Sequence, residues 1–195
     1  MTSRITTDRL LLIPATLEIV EAELKGRAAL SSAIGADVPD DWPPPLNDEQ
    51  TFRFILDLLR SVPGDVGWWY WHVLRTGREA ASPTAIIGLC GFKGRPTDEG
   101  VAEIGYSIMP AFHRQGFATE ACEALLDWAF SHGEVTKVIG HTLEGLTPSI
   151  GVMEKLGFTY EGEGPPEEAP TPEDKVVRYG LCRAEYERAS GRCAS

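Results

Sequence analysis

The stretch AEIGYSIMPAFHRQGFATEACEALLDWAF, residues 102–130, changes its hydrophobic period once, which predicts a strand, a turn and a helix in succession. Ala102, Ile104, Tyr106 and Ile108 alternate with Glu103, Gly105 and Ser107, the period of two of a strand with distinct faces. After the turn the apolar residues fall at Ala118, Cys122, Leu125, Leu126, Ala129 and Phe130, one face of a helix lying on a sheet. Between the two sits HRQGFA, His113 to Ala118. Gly116 lacks a Cβ, so a ligand can approach its backbone, and the unpaired N–H groups and dipole at the helix start favour a phosphate.

Outward from this segment the chain alternates short strands with helices. Leu10 to Ile13 reads as a strand stopped by Pro14, and Leu17, Val20, Leu24 and Ala28 mark a helix face with Thr16 as its N-cap. After a turn-rich stretch, Gly35 to Pro45, Asn47 and Gln50 suggest a capping box for a helix that buries Phe52, Ile55, Leu56 and Leu59. Trp68 to Leu74 and Ala85 to Lys93 read as strands on either side of a polar linker around Gly77 to Pro83. A turn at Gly94 to Gly100 leads to the Val101 to Met109 strand. Lys137 to Thr142 is a further strand, followed by a helix with Thr147 as cap and Pro148 at its first position, closed by Lys155 and Gly157. Thr159 to Gly162 and Val176 to Leu181 are the last strands, separated by an acidic, proline-rich segment.

Composition bounds the function. The 195 residues, 43% hydrophobic, fit one domain spanning 1–195 with a sizeable core. A net charge of −11 argues against nucleic acid or an anionic membrane as partner and permits a cationic substrate. Cys90, Cys122, Cys182 and Cys193 lack CxxC spacing, and the N-terminus lacks the apolar run of a signal peptide, so reduced thiols in a cytoplasmic protein are expected. His72, His113, His132 and His141 show no metal-ligand spacing, so no metal is expected.

The HRQGFA turn resembles the acyl-CoA pyrophosphate loop of the GNAT N-acetyltransferase superfamily: Arg or Gln, two residues, Gly, any residue, then Gly or Ala. His113 stands where Arg or Gln is usual, and Gly116 and Ala118 match. A second, independent match is KVIGHTLEGLTPSIGVMEKLGF, Lys137 to Phe158, which is similar to the superfamily's fifth strand and following helix. The opening TTDRLLLIPAT, Thr6 to Thr16, is similar to the first strand of the branch that acetylates ribosomal-protein N-termini. This resemblance implies an α/β fold: a mixed, largely antiparallel twisted sheet of six to seven strands, helices on both faces, the fourth and fifth strands splayed. It also implies acetyl-CoA as cosubstrate and a primary amine, a peptide N-terminus or a small molecule, as acceptor. A homodimer is within the family's range.

The resemblance further implies roles for single residues. Arg114, Gln115, Gly116, Phe117, Ala118 and Thr119 would hold the cofactor's phosphates, and main-chain groups near Ile108 and Met109 its pantetheine arm and thioester carbonyl. Glu103 would serve as the base that deprotonates the amine, which ordinarily has a pKa of about 10. A Tyr often supplies the acid from the helix after the fifth strand, yet Met153 stands there; Ser149 is the candidate for the thiol side. Leu146 replaces an Asn that often contacts the arm, so a non-catalytic acyl-CoA-binding module is the alternative. Two further features are ambiguous. Trp68 to Trp71 reads as core or as an aromatic wall for a cationic amine. Gly162 to Asp174, with five acidic residues among four prolines, reads as a solvated loop or as an acceptor-site loop. A nucleotide-binding domain fits poorly, because the turn lacks both a GKS or GKT ending and a three-glycine fingerprint.

Overall fold

This computed structural model describes residues 3–45, 47–77, 83–189 and 191. The chain runs β1 (Ile5–Thr6), β2 (Leu10–Pro14), α1 (Leu17–Lys25), α2 (Arg27–Ile34), α3 (Glu49–Ser61), β3 (Tyr70–Thr76), β4 (Pro83–Phe92) and β5 (Val101–Ile108). It continues through α4 (Phe117–Phe130), β6 (Lys137–Leu143), α5 (Thr147–Lys155), β7 (Thr159–Glu163), β8 (Val176–Cys182) and α6 (Arg183–Ala189). The strands form one sheet of eight, ordered β1-β2-β3-β4-β5-β6-β8-β7. The eighth strand, beyond the expected seven, is the two-residue β1, too short to leave a periodic signal.

Two compact units divide the chain, one of residues 1–94 and 106–124, the other of residues 95–105 and 125–195. In the first, β2 pairs antiparallel with β3, and β3 with β4. Tyr70, His72 and Leu74 on one face of β3 meet α1 to α3, where Phe52, Ile55, Leu56 and Leu59 form the buried stripe of α3. Trp71 pairs in register with Cys90, whose thiol touches Cys122 of α4 at 3.6 Å, so the other face is covered too. In the second unit β6 pairs parallel with β5 over Val101↔Lys137 to Glu103↔Ile139 and antiparallel with β8 along its whole length. The registered pairing of β5 with β6 ends at Glu103↔Ile139. Arg183 closes the end of α4 by donating to the carbonyls of Phe130, His132 and Val135.

Several local expectations shift. The helix face drawn from Leu17 to Ala28 is two helices, broken at Gly26 with φ 110°, a conformation that favours glycine. Thr16 caps α1 as expected, accepting from Ile19 N–H. Asp48, not Asn47, caps α3: its carboxylate accepts from Thr51 N–H at 2.8 Å, which holds its pKa below the ordinary carboxylate value. The Asn47 amide is spent on the carbonyls of Pro44 and Pro45. Thr147 lies inside α5, whose start has no side-chain cap. β3 begins at Tyr70; Trp68, Trp71 and His72 are buried, while Trp69 and Tyr70 are half-buried. Residues 78–82 of the polar linker, and Cys193, lie outside the described residues.

One cluster inside the first unit is polar. The Glu23 side chain, 2% exposed, accepts from Trp42 Nε1 at 3.0 Å, Tyr70 hydroxyl at 2.9 Å and His72 Nε2 at 3.1 Å. Burial, and then the Glu23 carboxylate, pushes the Tyr70 hydroxyl well above the usual phenol range. His72 Nδ1 is sealed in the core without a partner among the described residues.

Candidate active site

The turn between β5 and α4 is fixed from several sides. Met109 N–H donates to Ile87 carbonyl at 2.8 Å, and the single helical turn Pro110–Phe112 follows. Arg114 and Gly116 both take positive φ, 58° and 82°, which reverses the chain within a few residues and starts α4 at Phe117. The first backbone donor to find an acceptor in this helix is Glu120 N–H, on Gly116 carbonyl at 3.0 Å. Phe117, Ala118 and Thr119 precede it, so their N–H groups have no carbonyl behind them in the helix and carry its positive end.

Arg9 aims this end, from 111 positions away from its partner Glu120. Its Nε donates to Glu120 Oε2 at 2.6 Å and its guanidinium lies 4.6 Å from the Phe117 ring centre. Nη1 donates to the Gln115 carbonyl at 2.9 Å. In a trans peptide the carbonyl and the following N–H point opposite ways. Holding the Gln115 carbonyl on Arg9 therefore turns the Gly116 N–H away from it, towards the side an anion would occupy. A Cβ on Gly116 would face Arg9, whose Nη2 would lie 3.4 Å from it, and the positive φ of Gly116 favours glycine there. Sequence reasoning missed Arg9, because nothing local marks a residue whose partners are so distant.

The neighbours of this turn are themselves engaged. His113 does not face a phosphate: its Nε2 donates to Ile108 carbonyl at 2.6 Å and ties the turn back to β5. The Met109 amide is engaged by Ile87 and is not open to a thioester carbonyl. Ile108 and Met109 are buried by side chain, so any contact they make with a cofactor uses backbone.

In the second unit, three elements bring acid and imidazole together. His141 of β6, its side chain 7% exposed, shares a hydrogen bond with Glu103 of β5 between Nδ1 and Oε1 at 3.0 Å. Glu168, in the helical turn Pro166–Glu168 of the acidic segment, brings Oε1 to 3.6 Å from the same nitrogen. The three ligand-type atoms lie within 4.8 Å of one another, a grouping the histidine spacing gave no sign of. Arg178, opposite His141 in the β6–β8 register, pairs with Glu161, as does Lys137 at 2.5 Å. Both cations thus share the one Glu161 carboxylate. Ser149 sits in the first turn of α5, its N–H on Leu146 carbonyl at 2.9 Å. Met153 is buried against Gly140, where a hydroxyl would be sealed in core.

The profile of the acetyltransferase (GNAT) domain matches residues 9–159. The chain belongs to the GNAT acetyltransferase family. An uncharacterised N-acetyltransferase of Bacillus subtilis, YjdG, is 25% identical over 78% of this chain and 87% of its own. Solved structures agree in fold. A GNAT-family acetyltransferase of Bacillus anthracis superposes with a TM-score of 0.61 at 21% identity, covering 94% of this chain and all of that one. RimL, a ribosomal alpha-N-protein acetyltransferase in complex with coenzyme A, superposes with 0.63 at 20% identity, covering 92% and 98%. This GNAT protein is accordingly an acyltransferase, and acetyl-CoA is the donor its family uses.

Proposed function

We propose that this GNAT enzyme acetylates a primary amine, a peptide N-terminus or a small molecule, by direct attack of the amine in a ternary complex. The observation that carries the cofactor half is the start of α4: left-handed Arg114 and Gly116, unclaimed N–H groups from Phe117 to Thr119, and a Gln115 carbonyl drawn aside by Arg9. Gln115, Gly116, Phe117, Ala118 and Thr119 would hold the pyrophosphate through backbone amides, with Arg114 adding charge. Acetyl-CoA, when bound, supplies the acetyl group already activated as a thioester. Glu103 serves the amine side, where a proton must leave before the nitrogen can react. Ser149, at the start of α5, is the candidate that supplies a proton on the thiol side.

Direct attack is favoured over a covalent acyl-enzyme on Cys122 by the state of that thiol. Cys90 and Cys122 are buried, and burial, with Cys90 alongside, pushes the Cys122 thiol well above its usual range, away from the thiolate a nucleophile needs. No helix among the described residues is long and apolar enough to cross a membrane. A cytoplasmic enzyme acting as one domain is the reading we favour.

The test is a mass-spectrometric screen of acetylated products with acetyl-CoA and a mixed panel of peptides and small amines. An acetylated amine with matching thiol release supports the proposal; tight acetyl-CoA binding with no product from any amine would leave an acyl-CoA-binding module. For the loop, Gly116→Glu places a carboxylate against the amides and strains a φ of 82°. It should abolish acetyl-CoA binding by calorimetry, and retained affinity would sink the loop assignment.

A further inference from the structure

Glu103 is not the group in its cluster best placed to take a proton. Its Oε1 is on His141 Nδ1 at 3.0 Å, and a carboxylate there fixes the proton of the neutral imidazole on Nδ1. That leaves the lone pair on Nε2. This nitrogen has no hydrogen-bond partner among the described residues, and, unlike His72 Nδ1, it is not sealed from solvent. Gly164 packs against the adjoining ring edge: a Cβ there would lie 2.6 Å from Val176 Cγ1 and 3.0 Å from His141 Cδ2, the carbon bonded to Nε2. So a side chain nine-tenths buried keeps one basic atom without a partner among the described residues, beside a glycine that a larger residue could replace only by displacing Val176 and the ring.

From this we infer that His141 is the catalytic base of the reaction, taking the proton of the acceptor ammonium on Nε2, with Glu103 as positioning residue and Glu168 as the carboxylate that attracts the ammonium. The inference rests on the acetyltransferase reading above and deepens it. The step balances simply: R–NH3+ gives one proton to neutral His141 and becomes R–NH2, the imidazole becomes imidazolium, and the proton later passes to water. Glu103 stabilises the imidazolium as it forms.

The same charges define the class of acceptor. Two carboxylates, Glu103 and Glu168, stand at the Nδ1 edge of the ring, while Arg178 and Lys137 each pair with Glu161. An ammonium is attracted there, and a carboxylate next to it on the same molecule is repelled. The acceptor is therefore an amine whose nitrogen has no neighbouring carboxylate, such as a peptide N-terminus or an alkyl amine, and not a free α-amino acid.

Glycinamide and glycine, alike in size and differing in that carboxylate, are the probes. Imidazole nitrogen NMR of the cofactor-free protein should show His141 as the Nδ1–H tautomer, lost in Glu103→Gln, and its Nε2 signal should move with glycinamide and not with glycine. With acetyl-CoA, thiol release with glycinamide should fall at least about 100-fold in His141→Gln while acetyl-CoA affinity is kept. Glu168→Gln, at an exposed position that should not disturb folding, should raise KM for the amine about tenfold with kcat little changed. An Nε2–H tautomer, an Nε2 signal indifferent to glycinamide, or His141→Gln within threefold of wild type would overturn the assignment. So would stoichiometric zinc bound at this cluster in the purified protein, which would make it a metal centre. Loss of acetyl-CoA binding by the wild type would instead refute the acetyltransferase reading, and the NMR arm would still decide whether the cluster binds an amine.

Discussion

This chain builds the same chemical pair twice, and the two copies differ in everything except the pair. Glu23 and His72 are sealed in the first unit, 2% and 0% exposed by side chain, with Trp42 and Tyr70 filling the remaining positions on the carboxylate. Glu103 and His141 in the second unit are 19% and 7% exposed, joined by a second carboxylate, and the imidazole keeps an accessible nitrogen beside a glycine. The lesson is that a His–Glu hydrogen bond is not itself a sign of chemistry. What separates a structural pair from a reactive one is whether the second ring nitrogen can be reached. In the first pair the free nitrogen is Nδ1, buried where no substrate can come; in the second it is Nε2, which is not sealed from solvent.

The largest way to break this comparison is Glu23→Ala, which strips three buried donors of one acceptor. It should cost about 3–5 kcal/mol of stability in urea unfolding, because the uncompensated groups stay behind in the core. Acetyl-CoA affinity of the folded protein should be unchanged; a loss under 1 kcal/mol would mean the cluster relaxes or takes in water. Glu103→Gln should have the opposite profile, with stability near wild type and turnover at neutral pH lowered by about 100-fold, equivalent to about 2.7 kcal/mol of barrier. The deficit should shrink at pH values that deprotonate the amine unaided, and an unchanged rate at pH 7 would remove Glu103 from the reaction. Trp42→Phe keeps the ring that lies against His72 and removes one donor to Glu23, so about 1.5 kcal/mol of stability should go.

The smallest effect separates the pairs by pH. Tyr70 has its hydroxyl pushed up in the folded state, so the folded protein keeps a proton that the unfolded chain releases above pH about 10. Stability attributable to Tyr70 is therefore complete below that pH and falls as pH rises beyond it, by up to about 1.4 kcal/mol per pH unit. Tyr70→Phe should flatten this alkaline decline in unfolding experiments. An identical decline in the variant would assign it to other groups.

How much of this was legible in the sequence depends on how far apart the partners lie. The period change at residues 102–130 identified β5, the turn and α4, since side-chain alternation and the helical stripe are local properties. The buried stripe of α3 was legible for the same reason, whereas its cap was misplaced by one residue because Asn47 and Asp48 are both good caps and only the folded loop uses one elsewhere. Trp68 to His72 has the pattern of a strand with two faces, but not the information that Trp68, Trp71 and His72 are buried and Trp69 and Tyr70 only half-buried. In the site, Gly116 and Glu103 could be picked out by resemblance. Arg9, His141 and Glu168 could not: each meets its partner across distant sequence, and His141 lies in a short strand where an apolar residue would read just as well. The acidic, proline-rich segment looked featureless, yet its turn at Pro166–Glu168 is what carries Glu168 to the imidazole.

The most direct test of the contrast substitutes the two histidines in parallel, His72→Gln and His141→Gln, and measures urea unfolding and acetyl-CoA-dependent thiol release per folded molecule on each. His72→Gln should lose stability and keep its turnover; His141→Gln should keep its stability and lose turnover by at least about 100-fold. Equal turnover in the two variants, or a stable His72→Gln beside an unfolded His141→Gln, would contradict the division of these pairs into one that holds the fold and one that moves a proton.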